Sequence, residues 1–242
     1  MAFVGAACAP SAQAQWGTFK GQVVLDGDAP AIKPLVSKGD ASTKDSAVCA
    51  AEEVPDEKLV VDSATKGIAN VAIYLAKKPK IHPDLEKSKD KEVTFDQKGC
   101  RFLPHVMVVR TDQVVKVLSD DAVAHNTHTY PLKNNQENFI VTPNDRKGVT
   151  MKPMKLVEKT PSKVACDIHP WMSAYWVIVD HPYAAVTDAK GNFEIANLPE
   201  GKHEFIVWQE SSGYLDRKLE INIKSGATEE KTLKYKASQI LK

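Results

Sequence analysis

The chain has 242 residues, 43% of them hydrophobic and 26% charged, with a formal net charge of +1 at pH 7. That length allows one large domain or two modest ones, each with its own core. A charge so close to balance excludes a strong field for nucleic acid or an anionic membrane surface. No stretch is long and apolar enough to span a bilayer as a helix.

The chain opens with MAFVGAACAPSAQAQWG, small, apolar and uncharged through Gln15. Ala12-Gln13-Ala14 has the small-x-small form of a secretory cleavage site, although no basic residue precedes the short apolar run, as in a truncated or misassigned start. Residues 1–14 are expected to be the leader of an exported protein, a disordered tail being the alternative. Cys8 would leave with that leader. Lipid attachment at Cys8 fits less well, because Gly5 stands where a larger apolar residue is expected.

FKGQVVLDG (19–27) predicts a strand running into a turn. Residues 29–58 are rich in Ser, Asp, Lys and Glu and predict a long loop carrying a helix over 42–53. LVVD (59–62) and IANVAIYLA (68–76) read as strands, the second apolar enough to be buried on both faces. Residues 77–92 are polar and broken by proline, hence a surface excursion. Then come VTFD, RFLPHVMVV, QVVKVLS, AHNTHTY, SKVAC and YWVIVD, each a strand by composition and alternation, with one more near Val149–Met151. A turn at Asp188–Gly191 reads as a hairpin, and Leu198-Pro199-Glu200-Gly201 turns the chain again. LEINI (219–223) alternates cleanly. Twelve to fifteen short strands with little helix predict an all-β protein of β-sandwich architecture.

The chemistry concentrates in CDIHPWM (166–172), where Cys166, His169 and Met172 fall within one tight loop between two predicted strands. A type 1 copper site uses two imidazoles and a thiolate in a plane with a weak thioether above it. The loop supplies three of those four donors. His125 and His128 in AHNTHTY could supply the fourth, but three residues apart on a strand they point to opposite faces, so only one can enter the site. Spacing does not choose between them. A structural zinc on His125, His128, Cys166 and His169 would need both to converge and leaves Met172 without a role. The bland alternative is a buried thiol among ordinary polar histidines.

Without Cys8, three cysteines remain, and a disulfide takes two of them. Cys49 and Cys100 have no histidine or methionine at ligand spacing, whereas Cys166 stands in the loop. A Cys49–Cys100 disulfide, permitted outside the cytoplasm, plus one functional thiolate is the expected division; three reduced, buried thiols are the alternative.

His-Asn-x-His followed by Cys-x2-His-x2-Met resembles the cupredoxins, with the amicyanin-type spacing of the ligand loop. The resemblance covers about residues 93–180. It implies a Greek-key sandwich in which His125 is the upstream copper ligand, beside Cys166, His169 and Met172. It also implies that Asn126 ties the two ligand segments together by hydrogen bonds, and that His169 reaches the surface through an apolar patch including Pro170 and Trp171. For Trp171 a place in the core is the alternative.

The C-terminal VTDAKGNFEIANLPEGKHEFIVWQE is similar to the carboxypeptidase regulatory-like, transthyretin-like sandwich, whose usual opening matches GQVVLDG and GIANVAIYL. The opening lies before the copper-type stretch and the rest after it. The expected division is therefore 1–14 leader, 15–76 and 181–242 as two parts of one regulatory-like sandwich, and 77–180 as an inserted copper domain. Two sandwiches in tandem is the alternative. The resemblance implies a periplasmic or secreted electron carrier with one mononuclear copper. Its partners would be redox proteins, such as a c-type cytochrome or an oxidoreductase, with no nucleic acid and no membrane span. No triad, phosphate loop or carboxylate pair argues for an enzyme. A non-redox metal-binding or envelope protein is the second reading.

Overall fold

The computed structural model describes residues 15–241; the expected leader, with Cys8, lies outside them. Period-2 alternation of apolar and polar side chains turns nearly all the predicted runs into strands. In chain order these begin with β1 (Trp16–Asp26), the one-turn helix α1 (Ser46–Cys49), β2 (Ala72–Leu75), β3 (Glu92–Gln97), β4 (Phe102–Leu103), β5 (Val106–Arg110), β6 (Val114–Val117) and β7 (His125–Tyr130). They continue with β8 (Asn138–Val141), β9 (Val149–Thr150), β10 (Ser162–Ala165), β11 (Ser173–Val179) and β12 (Ala184–Val186). β13 (Asn192–Pro199), β14 (Gly201–Gln209), β15 (Gly213–Ile223), β16 (Thr228–Lys236) and the terminal turn α2 (Ala237–Ile240) complete the series. The protein is all-β, and no helix among the described residues is long and apolar enough to cross a membrane.

Four sheets result, with strand orders β13-β1-β16, β12-β2-β14-β15, β5-β11-β10-β7-β8 and β4-β3-β6-β9. The first two enclose one core, including Phe19, Ile73, Phe193, Phe205 and Ile221. The last two enclose another, including Phe95, Phe102, Val117, Trp176 and Ile178. Each fully buried side chain of this size contributes about 1.5–3 kcal/mol relative to exposure. A third cluster joins the pairs: Ala72, Tyr74 and Trp208 from one side meet Val106, Val177 and Val179 from the other. β2 is buried along its whole length for this reason: Ile73 and Leu75 face the outer core while Ala72 and Tyr74 face the junction. β11 does the same, sending Trp176 and Ile178 one way and Val177 and Val179 the other. Strands before and after residues 92–179 thus share the outer sheets, with β2 paired to both β12 and β14.

Local details differ from the sequence expectations. The helix expected over 42–53 is a single turn, Ser46–Cys49, entered from Asp45 in a left-handed conformation (φ 53°) without a side-chain cap. Ser- and Asp-rich segments bond to their own backbone and resist helix, as Asp40 does by accepting from the N–H and hydroxyl of Ser42. LVVD forms one bridge, Val61 to Ile68, rather than a ladder. RFLPHVMVV divides into β4 and β5 at Pro104, which has no N–H to give a ladder. Neither expected turn of the C-terminal stretch joins paired strands. Asp188–Gly191 is tight, with Asp188 Oδ1 accepting from the N–H groups of Lys190 and Asn192, yet β12 and β13 belong to different sheets. Residues 198–201 likewise carry the chain from β13, bonded to β1, to β14, bonded to β2 and β15. Turn chemistry says that a chain reverses; it does not choose the partner. Within β1, Gly21 is required by close approach, since a Cβ there would lie 1.9 Å from the Lys231 carbonyl oxygen.

Candidate metal centre

β7 brings the first imidazole. Its alternation sends His125, Thr127 and Thr129 inward, all fully buried, and leaves His128 half-buried on the opposite face. β10 pairs with β7, Ala165 opposite His128, so the residue after β10 arrives beside the start of β7. That residue is Cys166. The loop from Cys166 to Met172 closes on itself: the Cys166 N–H donates to the Met172 carbonyl at 3.2 Å, and the Met172 N–H to the His169 carbonyl at 2.9 Å. The His169 N–H points at the Cys166 sulfur, 3.4 Å away.

Asn126 joins the two segments. Its Oδ1 accepts from the Asp167 N–H at 2.7 Å and the Ile168 N–H at 3.3 Å, and stands 3.3 Å from the Cys166 sulfur. Its Nδ2 donates to Asn138 and Asp167, each at 2.8 Å. Every polar atom of this buried amide is used, and outer bonds of this kind hold ligand side chains in orientation.

The donors converge. His125 Nδ1 and His169 Nδ1 are 2.9 Å apart, and Cys166 Sγ is 3.8 Å from His169 Nδ1. Met172 is buried in the same apolar cluster as Cys166. The far nitrogen of each ring meets a carboxylate: His125 Nε2 lies 2.8 Å from Asp121 Oδ2, and His169 Nε2 lies 2.9 Å from Asp45 Oδ2. A carboxylate can only accept, so both Nε2 atoms carry protons. The close Nδ1 pair needs one more proton, shared between the two rings. Burial pushes His125 down, but the hydrogen bond from its ring to Asp121, followed by that to Cys166, raises it to about 9. Burial pushes the Cys166 thiol up, yet the hydrogen bonds of His125 and His169 bring it down to about 6. Both shifts favour a thiolate beside a protonated imidazole.

Asp121 is itself held. Burial opposes its charge, but the His125 bond and the N–H groups of Cys100 (2.9 Å) and Gly99 (2.6 Å) keep its carboxyl below the usual range. Gly99 and Cys100 are both left-handed, φ 61° and 52°, so their consecutive N–H groups cup one anion. Cys100 forms the expected disulfide with Cys49, leaving Cys166 as the free cysteine of the described residues.

The donor set fits one thiophilic transition ion. Nitrogens bound at about 2.0 Å around one ion stand roughly 3–3.5 Å apart, a few tenths of an ångström wider than the hydrogen-bonded pair seen here. Two imidazoles and a thiolate, with the thioether of Met172 buried in the same cluster, suit copper in both oxidation states. Cys100, Asp121 and His125 also cluster, but the Cys100 sulfur is spent in the disulfide and offers no thiolate. His128 does not approach the donors. Its Nδ1 is engaged by the Tyr130 hydroxyl at 2.8 Å and by Asp167 at 3.1 Å, so the four-donor zinc set is not brought together.

One expectation is corrected. His169 does not reach the surface: its side chain is 0% exposed, with Nε2 covered by Asp45. Pro170 is exposed, but Trp171 is half-buried, packs against Val36, Ala50 and Val54, and donates from Nε1 to the Cys100 carbonyl at 3.2 Å. The physical reason is the segment around α1, which lies over this edge. Sequence reasoning also missed Asp121 and Asp45. Asp121 carried a faint signal, four residues before His125; Asp45 stands 124 residues from His169 and carried none.

No protein-family model matches the sequence, and neither does any curated protein. Among solved structures, amicyanin from Paracoccus versutus is similar at 12% identity and TM-score 0.31, over 44% of this chain and 96% of that one. A purple cupredoxin from Nitrosopumilus maritimus is similar at 15% identity and TM-score 0.29, over 37% of this chain and 99% of that one. A copper-containing nitrite reductase from Thermus scotoductus is similar at 18% identity and TM-score 0.29, over 36% of this chain and 22% of that one.

Proposed function

We propose that the protein is an exported electron carrier with one mononuclear type 1 copper, held by His125, Cys166, His169 and Met172. The observation that carries this reading is the convergence of His125 Nδ1, His169 Nδ1 and a thiolate-poised Cys166 in one buried apolar setting. Copper, when bound, supplies a one-electron couple. The chain's own part is to hold the donors still: Asn126 locks the ligand loop to β7, and Asp121 and Asp45 fix the far nitrogens. A firmly held donor set suits electron transfer, and in this reading the protein is a carrier that passes its electron to a redox protein partner. The Cys49–Cys100 disulfide favours an oxidising compartment. The outer sandwich reads as a regulatory-like module that scaffolds the site, and a non-redox metal-binding protein is the second reading.

Reconstitution with Cu(II), followed by visible absorption and EPR, tests the proposal. An intense thiolate-to-copper band is expected, abolished in Cys166→Ser. A colourless copper complex, or full colour in the serine variant, overturns it. Colour without a reversible one-electron couple selects the non-redox reading.

A further inference from the structure

Residues 36–54 leave the outer sandwich and lie over the ligand loop. Val36 and Val54 bridge to each other at the ends of the segment. Val36, Ala50 and Val54 bury themselves against Trp171. The Gly39 N–H donates to the Ala50 carbonyl at 2.7 Å, and Cys49 is tied to Cys100 by the disulfide. Asp45 sits at the start of α1 in a left-handed conformation, held by N–H donors from Val48 and Cys49 to its carbonyl, both at 2.9 Å. Its side chain is 38% exposed and yet delivers Oδ2 to the fully buried His169 ring.

We propose that Asp45 is a positioning residue for His169. The proposal rests on His169 being a metal ligand and adds what holds it. By accepting the Nε2 proton, the carboxylate fixes the tautomer and leaves Nδ1, 2.9 Å from His125 Nδ1, with its lone pair for a metal. It also makes that lone pair more basic, which favours the more highly charged metal state and lowers the potential. The constraint reaches the site from outside the ligand strands, through a segment that the disulfide keeps in place.

Asp45→Ala and Asp45→Asn test this. In metal-free protein labelled with nitrogen-15 at histidine, wild type is expected to show His169 as the single Nε2–H tautomer. Asp45→Ala should give a mixture. Asp45→Asn should retain most of the wild-type form, because an amide oxygen still accepts. In copper-loaded protein the potential should rise in Asp45→Ala, with Asp45→Asn between; a tenfold shift in the one-electron equilibrium reads as about 59 mV. A wild-type tautomer and potential in Asp45→Ala overturn the proposal. The tautomer measurement needs no copper, so it stands or fails apart from the electron-carrier reading.

Discussion

The two sandwiches are built from the same alternating strands, but their interiors differ in kind. The outer core, from Phe19 to Ile240, is mainly apolar and has Thr187 as a buried polar neighbour, with Phe19 set edge-on to Phe193 and tilted against Phe205 at 5.0 Å centroid distances. The inner sandwich buries Gln97, Asp121, His125, Asn126, Thr127 and His169 among its apolar residues. An apolar core tolerates any filling of the right volume and shape, whereas a buried polar network must satisfy each atom or lose stability. One region specifies a shape and the other specifies particular atoms.

The largest expected effect separates the two. Phe19→Ala removes a fully buried ring from the outer core and should cost about 3–5 kcal/mol of stability, read by denaturant unfolding. The copper absorption band and potential of the folded protein should not move, because no site residue touches Phe19's cluster. A changed band in that variant would mean that the outer core shapes the site directly, and the contrast drawn between the two interiors would collapse.

A middle-sized effect probes the polar network. In metal-free protein the Cys166 thiolate, followed by its ultraviolet absorption, should titrate with a midpoint of about 6. Its folded value is depressed, so its stabilisation is lost as pH falls through about 6. The folded value of His125 is raised, so its stabilisation is lost as pH rises through about 9. The ion pair therefore supports the metal-free fold between those limits and weakens on either side. Asp121→Asn removes the anion that holds the His125 proton. The imidazolium is then less favoured, the thiolate loses its partner, and the Cys166 midpoint should climb towards that of a free thiol. Metal affinity should drop about tenfold or more, as for other outer-shell losses. An unmoved midpoint would show that Asp121 serves only the Gly99–Cys100 turn.

What could be read in the sequence divides along the same line. Strand alternation is local, so LEINI and the doubly buried 72–75 strand were legible, as were three candidate donor side chains within the seven residues 166–172. β8 was not, because NFIV lies inside a polar connection and only Val141 of it is fully buried. Sheet partners were not legible either, since turns at 188–191 and 198–201 look like hairpins and yet step between sheets. The burial of His169 was the furthest from reach. It depends on a Ser- and Asp-rich segment with no periodicity, brought over the loop by a disulfide spanning 51 residues.

The smallest effect is the most discriminating for the metal. His128 lies three strand positions past His125 and on the opposite face, its ring stacked on Tyr130 at 4.2 Å and its Nδ1 shared with Asp167. Asp167 is half exposed and keeps Asn126 and Asn138 as donors without it. His128→Ala should therefore cost about 0.5 kcal/mol or less, as surface pairs do, and leave metal affinity and the copper spectrum as they are. A four-donor zinc site would behave in the opposite way, because losing one of its four ligands opens the tetrahedron and affinity collapses. The comparison of metal affinity in this one variant turns the strand's alternation, an inference about faces, into a measurement of which imidazole the site uses.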